Sequence, residues 1–99
     1  MAVARHGTLT GSSTVDTVTI TSIDPSVTWL TVLNTAATGD LYFTVATNGT
    51  TAATPTVAGN DTYRCCAGRP ERPVEIGRAT SLSIKMISTA ALTYTIEAE

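Results

Sequence analysis

The sequence predicts an all-β chain, folded as a single antiparallel sandwich of about seven short strands. Threonine accounts for 21 of the 99 residues, and valine, isoleucine and alanine fill much of the remainder. β-Branched side chains lose freedom in a helix but fit the pleated surface of a sheet. Segments with period-two alternation recur at intervals of roughly ten residues, separated by turn residues. This pattern is typical of an immunoglobulin-like or jelly-roll-like sandwich.

The overall composition indicates one globular domain. Hydrophobic residues make up 42% of the chain, charged residues 14%, and the net charge is −2. These values differ from those of disordered chains and of nucleic-acid-binding domains. The sequence contains no run of 18 apolar residues, and its first residues lack the apolar region of a signal peptide. We therefore expect synthesis in the cytoplasm and no contact with a membrane or with nucleic acid.

The first 13 residues are interpreted as a flexible N-terminal arm. They are small, polar and glycine-containing, with no sustained period. Such a segment is mobile unless a partner holds it. The domain organisation predicted is therefore an arm over residues 1–13 and a sandwich domain over residues 14–99.

Three strands are predicted in the first half of the sandwich. The first covers residues 14–23, where Val18 and Ile20 alternate with threonines. Residues 27–34 carry apolar side chains on both faces, which indicates a central strand covered on both sides. Residues 41–47 place Leu41, Phe43 and Val45 on one face, and we expect this strand to form a hairpin with the preceding one.

The second half contains a long connection followed by four more predicted strands. Residues 48–60 are rich in Asn, Gly, Thr and Ala, which is typical of a loop. The strands are predicted at residues 61–66, 73–78, 81–88 and 92–97. The last three show a clear period of two, and their inward-facing residues are predicted to be Val74, Ile76, Leu82, Ile84, Met86, Leu92, Tyr94 and Ile96.

Catalytic and metal sites are not expected. The single histidine, His6, lies in the predicted arm, and nothing resembles the elbow that carries a nucleophilic serine. Cys65 and Cys66 are adjacent, so on a strand they point to opposite faces, and their spacing differs from that of zinc ligands. We expect reduced thiols, no enzyme activity, no metal and no cofactor.

The charged residues are distributed unevenly along the chain. Most arginines lie in the second half, where Glu71 and Glu75 interrupt them. This arrangement favours a solvated face or salt bridges between subunits over a nucleic-acid site. The candidate subunit contacts combine the arm with the exposed cations, and they are Arg5, His6, Leu9, Arg64, Arg69, Arg72 and Arg78.

Several strand and turn patterns resemble small virion proteins of tailed bacteriophages. The patterns are residues 39–45 (GDLYFTV), 54–63 (TPTVAGNDTY), 83–88 (SIKMIS) and 94–97 (YTIE), within a similarity that covers about residues 27–97. The paired cysteines depart from the resemblance, because an apolar, proline-tolerant stretch is expected there. The resemblance implies a β-sandwich that is present in many copies on a particle.

The function expected from this resemblance is capsid decoration. The protein would bind the outside of the head shell, contact the major capsid protein or other virion proteins, and associate with further copies of itself. A tail or head–tail connector protein is the alternative within the same class. A receptor- or carbohydrate-binding module is a further alternative, disfavoured because Trp29, Phe43, Tyr63 and Tyr94 are predicted to lie in strands and in the core.

Overall fold

The computed structural model describes residues 3–11, 14–21, 28–36, 39–66 and 69–99, except for the side chain of Val3. These residues contain eight strands and no helix, and so no helix that could cross a membrane. The strands are β1 (Val3–Leu9), β2 (Asp16–Ile20), β3 (Trp29–Asn34), β4 (Leu41–Thr47), β5 (Tyr63–Cys65), β6 (Glu71–Glu75), β7 (Leu82–Ser88) and β8 (Leu92–Ala98).

The strands form two antiparallel sheets of four strands each. The first sheet has the order β1-β8-β3-β6 and the second the order β2-β7-β4-β5. Consecutive strands of the chain therefore often lie in different sheets, which is the arrangement of a jelly roll with two interlocked Greek keys. The predicted all-β sandwich is confirmed, with eight strands in place of about seven.

The core lies between the two sheets and consists of the alternate residues of each strand. Of the residues predicted to face inward in the second half, all are buried except Ile76, which is partly buried against the core. Burial of one such aliphatic side chain stabilises the fold by roughly 1.5–3 kcal/mol. The largest side chains with almost no exposure are Phe43, Ile20, Leu30, Leu41, Leu82, Ile84, Met86 and Ile96.

The prediction of a flexible arm is wrong for Val3–Leu9. This segment is β1, an edge strand that pairs with β8 along its whole length, from Val3 opposite Ala98 to Leu9 opposite Leu92. Arg5 and Gly7 occupy inward-facing positions opposite Ile96 and Tyr94, so the strand lacks the apolar alternation that sequence analysis requires. Residues 1–2 and 12–13 of the predicted arm lie outside the described residues.

Glycine at position 7 permits close packing of Tyr94 against β1. A Cβ atom at this position would lie 2.5 Å from Tyr94 Oη and 2.7 Å from Tyr94 Cζ. Both distances are shorter than van der Waals contact, and the tyrosine ring is itself buried. Residue 7 therefore fixes how closely β1 and the Tyr94 ring can approach each other.

We predict that Gly7→Ala lowers the free energy of unfolding by about 1–3 kcal/mol, because the added methyl group must displace the Tyr94 ring. Urea unfolding followed by circular dichroism measures this change. Thr8→Ala, on the neighbouring exposed position of β1, serves as the control and should change stability by less than about 0.5 kcal/mol. Equal stabilities of the two variants would contradict the packing of Tyr94 under residue 7.

The predicted hairpin between residues 27–34 and 41–47 is wrong. The corresponding strands, β3 and β4, belong to different sheets, and the connection between them crosses the sandwich. Buried Asn34 holds the start of this crossing: its Nδ2 donates to Gly39 O at 3.0 Å, and its Oδ1 accepts from Ala36 N at 3.0 Å. A six-residue loop can serve either a hairpin or a crossing, so the local sequence did not distinguish them.

The remaining strands differ from their predictions mainly at the ends. The first predicted strand, residues 14–23, is shortened to Asp16–Ile20, and residues 22–23 and Val27 lie outside the described residues. Predicted strands 61–66 and 73–78 become Tyr63–Cys65 and Glu71–Glu75. These differences leave the inward-facing residues unchanged.

Candidate functional site

The two sheets leave four edge strands, and these lie at two opposite sides of the sandwich. At one side lie β5 and β6, and Cys66 and Arg69, which lie between them in the chain, exchange two backbone hydrogen bonds of 3.1 and 2.9 Å. We call this the closed side. The edge strands at the opposite side are β1 and β2, and we call it the open side.

Side chains on the closed side fill the gap between the sheets and limit pairing with other chains. The Arg72 guanidinium lies over the Tyr63 ring, 5.3 Å from its centroid, and Tyr63 stacks on Phe43 at 5.2 Å. β5 is only three residues long, and β6 contains Pro73, which has no backbone N–H to donate. Short edge strands and proline both discourage the addition of a further strand.

An ion pair adds to the closed side. Arg64 on β5 donates from Nη2 to Asp40 Oδ2 at 2.9 Å. The hydrogen bond and charge of Asp40 raise the pKa of Arg64 above its ordinary value, so the guanidinium stays charged. This ion pair is exposed, and we assign it a role in orienting the loop before β4 rather than a large share of stability.

The open side presents two longer edges with few protecting features. β1 has seven residues and β2 five, and neither contains proline or lysine. Within the described residues, the outer edge of each has no strand partner. Thr17 and Thr19 on β2 are exposed, and the one charged residue of β2 is Asp16 at its first position. Such an edge can accept a strand from another chain.

Tyr94 of β8 and Asp16 of β2 bring a phenol and a carboxylate from different sheets near each other at the open side. Burial raises the pKa of Tyr94 above its ordinary value, and the nearby negative charge of Asp16 raises it further, so the phenol remains protonated at neutral pH.

The seven predicted contact residues are not brought together. Arg5 and His6 are exposed on β1 at the open side, and His6 Nδ1 lies 2.9 Å from Thr95 Oγ1. Leu9 is 3% exposed within the chain's own core, so its side chain is not accessible to another subunit. The arginines lie elsewhere: the closed side carries Arg64 on β5, Arg72 on β6 and Arg69 between these strands, and Arg78 is exposed after β6.

The outer face of the second sheet is covered by the connection between β4 and β5. Ala52 N donates to Ser83 Oγ at 3.1 Å, and Thr44 Oγ1 donates to Ala53 O. Tyr42 and Ile87, which are directly opposite each other on this face, are only 8% and 7% exposed. A shallow groove of about 160 Å³ remains between this connection and β2, and it is lined mainly by threonine and serine residues.

The two cysteines occupy different environments, and both are free thiols. Cys65 is buried, and its Sγ donates to Val32 O in the opposite sheet at 3.3 Å. Burial raises the pKa of Cys65 to about 12. Cys66 is half-buried. Within the described part of the chain, no group of three His, Cys, Asp or Glu side chains is placed to hold a metal ion.

The prediction that Trp29 lies in the core is wrong. Its side chain is 44% exposed on the outer face of the first sheet. Sequence analysis expected cover on both faces of this strand, but β3 buries only Leu30, Val32 and Asn34. The argument that disfavoured a carbohydrate-binding module therefore fails for this one aromatic residue, while Phe43, Tyr63 and Tyr94 do pack against or within the core.

Comparison with known proteins identifies the fold. No protein-family model and no curated protein matches the sequence. The solved structure of PirA is similar with a TM-score of 0.57 and 16% identity, covering 97% of this chain and 93% of PirA. The chain shares the fold of PirA. At 16% identity, the similarity shows the fold and nothing about function.

Two bacterial proteins of known structure have a similar fold. PliG of Aeromonas hydrophila, a periplasmic inhibitor of g-type lysozyme, has a TM-score of 0.55 and 15% identity, covering 99% of this chain and 84% of PliG. The mitogen derived from Yersinia pseudotuberculosis has a TM-score of 0.52 and 15% identity, with the same two coverages of 99% and 84%. The differing descriptions of these proteins agree with the use of one sandwich for unrelated functions.

Proposed function

We propose that this protein is a non-enzymatic structural protein of a tailed-phage virion, which binds the outside of the head shell and stabilises it. The observation that carries the proposal is the open side, where β1 and β2 expose unpaired backbone edges. A strand from a shell protein would hydrogen-bond along β2, and the alternating side chains of that strand would contact Thr17 and Thr19. The closed side takes no part in this contact.

The resemblance to phage virion proteins supports the part of this proposal that concerns the sandwich domain. Three of the resembling segments fall on β4, β7 and β8, and the other covers part of the connection between β4 and β5 and ends on Tyr63, the first residue of β5. None of them lies on β1 or β2. The resemblance therefore concerns the sandwich itself, and the open side supplies the attachment. Identical contacts repeated over a shell add their effects through multivalency, so each contact can be weak.

A tail or head–tail connector protein remains the alternative, since it can use the same open side. The number of copies in the particle separates the two. Decoration of a shell predicts on the order of hundreds of copies, whereas a component of the tail axis predicts rings of about six or twelve. Quantitative gel analysis of purified virions measures this number.

The experiment that tests the proposal is the addition of purified protein to expanded shells that lack it. We predict saturable binding and an increased resistance of the shells to heat and chaotropes. Thr17→Lys combined with Thr19→Lys adds two charges at the β2 edge and should weaken binding by at least about tenfold, because charged residues oppose edge pairing. The matched control adds the same charge at two exposed positions far from β2 in sequence, Thr54→Lys with Asn60→Lys.

Two results would contradict the proposal in different ways. If the unmodified protein neither binds the shells nor changes their resistance, the decoration function is wrong. If the β2 variant and its control bind as well as the unmodified protein, the shell is bound through a surface other than β2.

A further inference from the structure

The exposed Trp29 is flanked by two glutamates on the outer face of the first sheet. In the strand register, Trp29 on β3 is directly opposite Glu75 on β6. On its other side, Trp29 and Glu99 exchange two backbone hydrogen bonds of 2.8 Å each. Directly opposite residues of an antiparallel pair point to the same face of the sheet. The indole therefore has a carboxylate on each neighbouring strand.

The two rows next to Trp29 continue the same arrangement. Thr31 lies between Glu97 on β8 and Pro73 on β6, and Leu33 lies opposite Glu71 on β6. All four glutamates of the chain are thus on one face, and all are exposed. We call this surface the glutamate face. It consists of Trp29, Thr31, Leu33, Glu71, Pro73, Glu75, Glu97 and Glu99.

The carboxylates of the glutamate face have no cationic partner in the described residues. The ion pair that the described residues do form joins Arg64 and Asp40, which belong to the closed side. Lys85 projects from the second sheet, where it is opposite Thr17 and Thr44. The whole chain has a net charge of −2, whereas this face alone carries four negative groups. Like charges placed close together on a sheet repel each other, and a cationic partner would relieve that repulsion.

We propose that the glutamate face docks an arginine-rich segment of another protein. Strands are spaced by about 4.8 Å, so the carboxylates of Glu75 and Glu99 start from strands about 10 Å apart with Trp29 between them. An arginine side chain from the partner stacks on the indole and pairs with one or both carboxylates. Arginine suits this site better than lysine, because its planar guanidinium both stacks on aromatic rings and forms bidentate contacts with carboxylates.

This docking surface is separate from the open side and independent of the virion role. The residues of the glutamate face lie on β3, β6 and β8, with Glu99 directly after β8, and none lies on β1 or β2. A neutral glycan could stack on Trp29, but it would leave the four carboxylates without counter-charges. A second copy of the chain would have to supply its own exposed arginines. Both occupants are distinguished from the arginine-rich segment by the experiment below.

The probe is a hexa-arginine peptide, and the signal is the fluorescence of Trp29, the single tryptophan of the chain. We predict a saturable change in emission as the peptide is added. The affinity should fall at least about tenfold when the salt concentration rises from about 0.05 to about 0.5 M, because exposed charges are screened. An uncharged hexa-serine peptide is the control and should give no saturable change.

Variants test the assigned residues with a labelled peptide and fluorescence anisotropy. Glu75→Gln and Glu99→Gln should each weaken binding about threefold, and the double variant about tenfold. Trp29→Ala should weaken it about threefold. Asp61→Asn makes the same charge change at an exposed position outside the glutamate face and should leave the affinity unchanged.

Four outcomes would overturn the proposal. The first is no saturable response to hexa-arginine, and the second is an equal loss of affinity in Asp61→Asn and Glu75→Gln. The third is binding of a neutral oligosaccharide that Trp29→Ala abolishes, which would make the face a glycan site. The fourth is self-association in sedimentation that Glu75→Gln abolishes, which would make the occupant a second copy.

Discussion

Phe43→Ala should lower the free energy of unfolding by about 4 kcal/mol, within the range of 3–5 kcal/mol for removal of a buried phenylalanine. Phe43 has no exposed surface and lies on β4 between Met86 of β7 and Tyr63 of β5. Its ring stacks on Tyr63 with an interplanar angle of 30°. The alanine variant would lose this contact and leave a cavity in the middle of the second sheet. Chemical denaturation followed by circular dichroism measures the loss.

Phe43→Leu keeps the variant folded if the alanine form is too unstable to study. Leucine retains most of the apolar volume, so we expect a loss of about 1–1.5 kcal/mol. Val57→Ala, at a position that is 39% exposed, is the surface control and should cost less than about 0.5 kcal/mol. A loss below about 1.5 kcal/mol for Phe43→Ala would show that this position is not close-packed.

The second large effect concerns the reactivity of Cys65. At pH 8 a thiol with a pKa of about 12 is about one part in ten thousand thiolate, and the thiolate is the reactive form. Burial restricts reagent access further. In the native protein, one thiol per chain, Cys66, should react with a soluble disulfide reagent, and Cys65 should react at least about a thousandfold more slowly. Absorbance of the released thiol resolves the two phases.

The same pKa predicts that stability falls at alkaline pH. The unfolded Cys65 loses its proton near its ordinary pKa of 9.0, whereas the folded one keeps it until about 12. The unfolded state therefore binds fewer protons in this interval, and the stability that Cys65 contributes is lost as pH rises, by up to about 1.4 kcal/mol per pH unit. Cys65→Ala should remove this part of the pH dependence, and Cys66→Ala should retain it.

Similar reaction rates for the two thiols of the folded protein would contradict the burial of Cys65. So would identical pH profiles of stability for the protein and its Cys65→Ala variant above pH 9. The two measurements are independent, because the first reports access to the thiol and the second reports its protonation.

The strands β7 and β8 were predictable because apolar residues alternate along them. In β7 and β8 every second residue is apolar and the intervening residues are mostly Ser, Thr or charged, so the period of two identifies both the strand and its inward face. Leu82, Ile84, Leu92 and Ile96 are all buried as this pattern requires. Local alternation is enough where the sheet separates a core from solvent.

β1 was missed because two of its inward-facing positions, Arg5 and Gly7, carry no apolar side chain. Gly7 is opposite Tyr94, which fills the space that a side chain would take, and Arg5 is exposed near the rim of the sandwich. The strand is held by pairing with β8, nearly the whole chain length away. No periodicity within residues 1–13 can reveal a partner at that distance.

The surfaces proposed for binding were also beyond sequence analysis. Trp29, Glu75 and Glu99 become neighbours only through the order β8-β3-β6. The apolar residues on both phases of β3 were interpreted as cover on both faces, whereas Trp29 is exposed. The open side likewise follows from the strand order, and the predicted hairpin of β3 with β4 would give a different order.

The pairing of β1 with β8 also has a kinetic consequence. Among the eight described strands, β1 is synthesised before all the others and its neighbour β8 after them, so β1 cannot pair until the strands between them have been made. At high expression, an unpaired β1 can insert beside β8 of another polypeptide and give an exchanged dimer. Because this pairing closes a loop that contains most of the domain, we expect dilution during refolding to favour the intramolecular pairing over the exchanged one.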